Sequence, residues 1–167
     1  MFKERYLILN DGSLYQGYAF GHDGESIGEV VFNTSMTGYQ EMLTDPSYGG
    51  QILISTYPMI GNYGVLEGIN ESSNIQVKSY VIRDLCEEPF HYGNRETLDN
   101  FLLKNKIPGI HSIDTRSLTR KIRNYGAKMG IVTNSNNIEE ALDKLNNFGK
   151  YEDYNYVEEV SSKSVSK

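Results

Sequence analysis

The sequence is poor in the residues that most often announce a site. It has no tryptophan, one cysteine (Cys86), four prolines and three histidines (His22, His91 and His111). A single cysteine excludes an intramolecular disulfide and any cysteine-based zinc cluster, and it favours a reducing compartment. The histidines stand in unrelated local contexts, with no HExxH or comparable pair at helical spacing, so no metal site is expected and each reads as a surface or satisfied interior residue. No apolar stretch approaches the roughly 18 residues of a membrane span, and no run of signal-peptide length follows Met-Phe-Lys-Glu-Arg-Tyr. The expectation is a cytoplasmic protein. Positive charge is also scarce: 16 Lys and Arg against 22 Asp and Glu leave a net charge of −6, so non-specific attraction to nucleic acid or anionic membrane is not the default.

The usual chemical motifs are missing too. There is no GxxxxGK[ST] and no GxGxxG between a strand and a helix; Gly61-Asn62-Tyr63-Gly64 follows a strand but opens no helix. Cys86 immediately precedes Glu87 and Glu88, whose carboxylates oppose formation of a thiolate, so it reads as a structural or loop thiol. The two glutamates are adjacent and diverge, which suits solvation better than shared acid–base work. Thirteen tyrosines are scattered along the chain, without the clustering and basic groove of a stacking surface.

What is present organises one domain of 167 residues. Tyr6–Leu9 and Leu14–Phe20 flank Asp11-Gly12, which supplies the positive φ of a hairpin turn. Further strands are expected at Gly28–Asn33, Gln51–Thr56, Ile75–Arg83, Ile107–Ile110 and Met129–Thr133. A short helical piece is expected at Tyr39–Leu43, closed off by Pro46. Leu98/Phe101/Leu102, Leu118/Ile122/Tyr125 and Ile138/Ala141/Leu142/Leu145 repeat at helical spacing, with Asn94, Asp114 and Ser135 as the expected caps. These elements predict an α/β domain with a mixed, largely antiparallel sheet covered by helices, over residues 1–150. The polar, aperiodic stretch 151–167 is expected to be a linker.

Two features rise above background. The helix after Asp114 carries Arg116, Arg120, Lys121 and Arg123, with Lys128 beyond it, in an acidic protein. Cations near a helix C-terminus complement the macrodipole and need no partner; alternatively Arg116 and Arg120, at i and i+4, form one face that clamps carboxylates of another subunit. The other feature is the polar segment Asn33 to Tyr48. Segments of that kind between short elements are often functional, although Thr34, Ser35, Thr37, Gln40, Thr44, Asp45 and Ser47 can also simply satisfy local backbone.

That segment, from Gly28 to Tyr48 (GEVVFNTSMTGYQEMLTDPSY), resembles the start of the small, glutamine-hydrolysing subunit of carbamoyl-phosphate synthetase. The resemblance continues through Thr56–Gly64 (TYPMIGNYG), Val81–Leu85 (VIRDL) and Ile110–Arg120 (IHSIDTRSLTR). It covers the family's N-terminal half and implies its swivelling β/β/α-type fold, followed by a linker toward a class I glutamine amidotransferase domain with a Cys-His-Glu triad. Neither Cys86 nor any histidine lies in a segment like that triad's surroundings, so no catalytic residue is assigned to this chain. The resemblance places the serine that reaches into the glutamine site at Ser47. It makes Arg116, Arg120 and Arg123 candidates for docking a large subunit, which uses ATP, magnesium, bicarbonate and the released ammonia to make carbamoyl phosphate for pyrimidine and arginine biosynthesis. A free-standing binding module with the same fold is the alternative.

Overall fold

The computed structural model describes residues 3–148; the linker expected over 151–167 lies outside them. Nine strands and four helices alternate: β1 (Glu4–Leu9), β2 (Leu14–Gly21), β3 (Ser26–Asn33), α1 (Tyr39–Thr44), β4 (Gln51–Ser55), β5 (Met59–Ile60), β6 (Ser79–Val81), β7 (Asp84–Leu85), α2 (Leu98–Lys104), β8 (Pro108–His111), α3 (Thr115–Tyr125), β9 (Lys128–Thr133) and α4 (Ile138–Phe148), with a 3-10 turn at Pro46–Tyr48. The α/β class and the β1–β2 hairpin stand as expected.

The sheet is a closed barrel rather than an open layer. Its strands run in the order β1-β2-β8-β6-β4-β3-β9 and return to β1. Four pairings are antiparallel (β1–β2, β1–β9, β2–β8, β3–β9) and three parallel (β3–β4, β4–β6, β6–β8), so the antiparallel majority is narrow. Closure removes both sheet edges, which an open sheet of this size would have to protect. The strand expected over Ile75–Arg83 contracts to β6, and β7 instead pairs with β5 in a separate two-stranded ribbon.

The period of two along each strand sorts the core. Leu7 and Leu9, Val30, Ile52 and Ile54, Val81, Ile110 and Val132 form one buried cluster that draws on strands all around the barrel, which makes it the interior. Ile113, with Leu118 and Ile122 of α3, joins that cluster, so α3 plugs one end. Alternate residues face outward: Leu53, Tyr80 and Phe20 pack on α1 and α2, and Tyr6, Ile8 and Ile131 on α4. Each such aliphatic or aromatic side chain contributes about 1.5–3 kcal/mol when fully buried. Where β2 approaches β8 there is no room for a side chain: a Cβ on Gly17 would lie 2.2 Å from the His111 carbonyl oxygen.

The opposite end is held by a charge. Arg5, 1% exposed, donates through Nη1 to the carbonyls of Phe20 (3.3 Å), His22 (3.1 Å) and Gly109 (3.0 Å), and through Nε to Asn134 Oδ1 (3.0 Å). Burial lowers its pKa and Asp23, 3.3 Å from Nη2, opposes that shift. Guanidinium nonetheless stays charged, because its reference pKa is far above neutrality.

Two helix starts differ from expectation. Thr97, not Asn94, caps α2 by accepting from Asn100 N (3.2 Å), because Glu96 is held extended in a bridge with Val65. At α4 the side chain of Asn137 accepts from Glu140 N (3.2 Å), and Ser135 supports it by accepting from Asn137 N (3.3 Å). Asp114 caps α3 as expected, accepting from Ser117 N (2.9 Å).

Candidate functional site

Several polar side chains of the Asn33–Tyr48 segment serve the fold. Gln40, 1% exposed, exchanges hydrogen bonds with the backbone of Leu66 (2.8 Å each way) and donates to Asn70 Oδ1 (2.6 Å). Thr44 donates to Gln40 O (2.9 Å) and accepts from Glu71 N (2.9 Å). Asn33 accepts from Ser35 N (2.7 Å) and donates to the Tyr48 hydroxyl (2.9 Å). Gly38, at φ 84°, begins α1 without a side chain to cap it. The Tyr63 hydroxyl does so instead, accepting from Gly38 N (2.9 Å) and Tyr39 N (3.2 Å), while its ring stacks on Tyr39 at 4.2 Å between centroids. Both tyrosines are engaged within the fold, Tyr39 also donating to Gly64 O.

The Ser47 side chain makes no such contact, and neither do those of the exposed Thr34, Ser35 and Thr37, among the described residues. Pro46 opens the 3-10 turn, and Asp45 closes its start by accepting from Ser47 N (2.8 Å). The Ser47 side chain is exposed on that turn and its hydroxyl has no partner among the described residues. A hydroxyl held by a proline-started, aspartate-capped turn is available to a ligand at little ordering cost.

The basic helix divides into two groups. Lys121 lies 2.9 Å from Asp11 and also bonds Ser13, and Lys128 lies 3.4 Å from the same carboxylate, so both lysines are committed to the fold. Arg116, Arg120 and Arg123 share the opposite side of α3, since seven residues are nearly two turns. None of the three makes an ion pair among the described residues. Arg123, in the last turn, is explained by the macrodipole. Arg116 is not: it is the second residue of α3, where the dipole disfavours a cation by about 0.3–1 kcal/mol.

Arg116 and Arg120 line a cleft of about 410 Å³ with Arg83, Thr34, Thr56, Pro58, Thr115 and Thr119; Arg123 lies beyond it. The Thr119 hydroxyl oxygen is shielded from solvent and has no hydrogen-bond partner among the described residues, a defect that costs about 1–3 kcal/mol in an isolated domain. Arg83, Thr56 and Thr119 were not singled out by sequence reasoning. Arg83 was visible as the one cation of Val-Ile-Arg-Asp-Leu, but only the fold carries it across to α3. Ser47 and the arginine cleft are not brought together: Ser47 precedes β4 and Thr56 follows it, roughly 13 Å of strand apart.

Cys86 and the histidines contact nearby backbone and side chains, with His111 Nδ1 3.1 Å from Ser112 Oγ. Cys86 Sγ has the Glu88 carbonyl at 3.5 Å, and His91 accepts from Gly93 N at 3.0 Å. His22 uses its carbonyl to hold Arg5. His111 lines a different cavity with Glu87 and Asp99; burial lowers its pKa, against the pull of Glu87, Asp84 and Asp99. Among the described residues no three His, Cys, Asp or Glu side chains are grouped to hold a metal ion, and no helix is long and apolar enough to cross a membrane.

Fold and site together define a mixed β-barrel domain of the α/β class whose available groups include a turn-borne serine and, among the described residues, an arginine face without ion pairs. The chain belongs to the carbamoyl-phosphate synthase small chain family: residues 7–132 match the family described as "Carbamoyl-phosphate synthase small chain, CPSase domain". Among its relatives, the carbamoyl phosphate synthase small chain of Fusobacterium nucleatum is 50% identical over 163 residues, covering 97% of this chain and 45% of that protein. Those of Staphylococcus epidermidis (49% over 146 residues; 87% and 40%) and Aquifex aeolicus (46% over 169 residues; 99% and 45%) are similar. The chain thus spans less than half the length of these relatives and corresponds to their N-terminal domain.

Proposed function

We propose that this domain docks the amidotransferase half of a glutamine-dependent carbamoyl-phosphate synthetase small subunit onto the large synthetase subunit, and that it completes the glutamine site with Ser47. In this reading the amide is hydrolysed by a Cys-His-Glu triad on the amidotransferase domain. Carbamoyl phosphate is assembled from ammonia, bicarbonate and ATP with magnesium on the large subunit, in the cytoplasm, for pyrimidine and arginine synthesis. The residues of this chain bind and position; none is assigned to bond making.

The observation that carries the docking role is the arginine face of α3. Arg116 sits against the helix dipole and neither it nor Arg120 has an acidic partner among the described residues, so no ion pair there accounts for their charges. A partner's carboxylates account for them. Reversing both charges (Arg116→Glu, Arg120→Glu) is expected to weaken association with a large subunit by about tenfold or more, while thermal unfolding of the domain stays where it is or rises slightly, because a carboxylate in the first turn of α3 suits the dipole. Unchanged affinity in a binding titration would remove this role.

The Ser47 hydroxyl suits an α-amino acid substrate because it can donate to the carboxylate while Asp45 fixes the turn through Ser47 N. In the assembled enzyme, Ser47→Ala is expected to raise the KM for glutamine about tenfold with kcat little changed, the signature of a lost ground-state hydrogen bond to a charged group. A fall in kcat at constant KM would contradict it. The chain by itself is expected to hydrolyse glutamine no faster than a buffer control.

A further inference from the structure

The arginine cleft is one part of a larger uncovered surface. Its walls come from segments that leave the barrel at the α3 end: Thr34 after β3, Thr56 and Pro58 after β4, and Arg83 after β6. The first two segments also carry apolar side chains exposed to water, Met36 (72% exposed), Tyr57 (37%) and Met59 (45%), each within two residues of one that lines the cleft. Guanidiniums next to exposed Tyr and Met are the composition of a protein interface, where these types are enriched and Lys and Glu depleted. No carboxylate lines the cleft itself; Asp84 and Asp114 line the adjoining hollows, with Asp84 3.8 Å from Arg83 Nε and Asp114 engaged in capping α3.

The extent of the surface selects the kind of ligand. A single small oxyanion could meet Arg83, Arg116 and Arg120, but the cationic stripe runs on to Arg123, outside the cleft and about 10 Å along the helix from Arg116. One carboxylate or phosphate group does not span that length, and it has no use for the apolar rim. A peptide segment with successive carboxylates and an apolar side chain uses all of it.

We infer that this end of the barrel docks an acidic segment of a protein partner, with carboxylates set along Arg83 and the α3 arginines, an apolar side chain packed against Tyr57 and Met59, and the Thr119 hydroxyl hydrogen-bonded to the segment. The inference rests on the docking reading above for the identity of the partner, the large synthetase subunit. It extends that reading from one helix face to a surface that includes residues of three loops.

The test is a calorimetric titration of purified large subunit with the 167-residue chain and with Arg83→Glu, Tyr57→Ala and Thr119→Val, each also followed by thermal unfolding and by titration with inorganic phosphate. The expected result is saturable binding by the unaltered chain, a loss of about tenfold or more for Arg83→Glu and for Tyr57→Ala, and weaker binding by Thr119→Val with a melting temperature equal to or above that of the unaltered chain. If the unaltered chain binds and Arg83→Glu and Tyr57→Ala bind equally well, the extended surface is overturned while the docking reading stands. If the unaltered chain does not bind, the docking reading falls and this inference with it. Saturable phosphate binding that Arg83→Glu abolishes, with large-subunit binding untouched, would make the cleft a small-anion site and overturn the inference.

Discussion

Arg5 and Arg116 show how differently two arginines of one chain are employed. Arg5 is enclosed and each nitrogen of its guanidinium meets an acceptor at a barrel end. Arg5→Ala leaves several carbonyls unsatisfied beside a cavity, and is expected to lower the unfolding free energy by about 3–5 kcal/mol in a urea titration. Arg123→Ala, at an exposed helix end, is expected to change it by less than about 0.5 kcal/mol; equal effects would refute this assignment. At this scale the sequence directs attention to the α3 arginines by their charge pattern and to Ser47 through the family resemblance, and the structure finds Ser47 exposed and the arginines without ion pairs among the described residues. Arg5 was not legible in the sequence, because nothing local distinguishes a charge on a strand facing water from one facing the barrel end. Arg83 escaped notice for a related reason: its role depends on α3, more than thirty residues away in sequence.

Among the elements, the helices and the hairpin follow from short-range pattern, since apolar spacing and the Asp-Gly turn act within a few residues. Closure of the barrel does not. It depends on the parallel pairs β3–β4, β4–β6 and β6–β8, whose partners are brought together only by the intervening helices and loops. The cap of α2 moved from Asn94 to Thr97 because of a bridge between Val65 and Glu96 that no local rule contains. Closure also explains Gly17. At the β2–β8 contact a methyl group would press on the His111 carbonyl oxygen, backbone that cannot swing away. Gly17→Ala is therefore expected to destabilise the domain by about 1–3 kcal/mol, the usual cost of overpacking. A stability equal to that of the parent would mean that β2 and β8 do not pack this closely.

Across the whole molecule, carboxylates tie the chain ends of the barrel to distant elements. The Asp11 carboxyl is pushed up by burial, but hydrogen bonds from Ser13 and Lys121 outweigh that and hold it well below the ordinary 3.8. Glu25 is likewise pushed up by burial and then brought below 4.5 by Lys144 and Thr133, and Asp23 is lowered by Lys3 and Asn134. All three have folded pKa values below their unfolded ones. Their contribution is thus fully present above the ordinary carboxylate range and is lost as pH falls from about 4 toward the depressed folded values. Stability measured against pH is expected to decline slightly as pH falls below about 6.5, where His111 with its lowered pKa must charge, and to drop further in that acid window, with Asp11→Asn showing a shallower acid drop. An identical acid profile for the variant would remove Asp11 from this role.

The three scales meet in one assignment: an α/β barrel that presents a serine on a proline-started turn and an arginine surface at the α3 end. That assignment is tested most directly by the affinity of the 167-residue chain for a purified carbamoyl-phosphate synthetase large subunit, measured beside the Arg116→Glu, Arg120→Glu double variant. The account predicts a saturable complex that the double variant weakens about tenfold or more without loss of fold. No complex, or one of equal affinity for both chains, would contradict it.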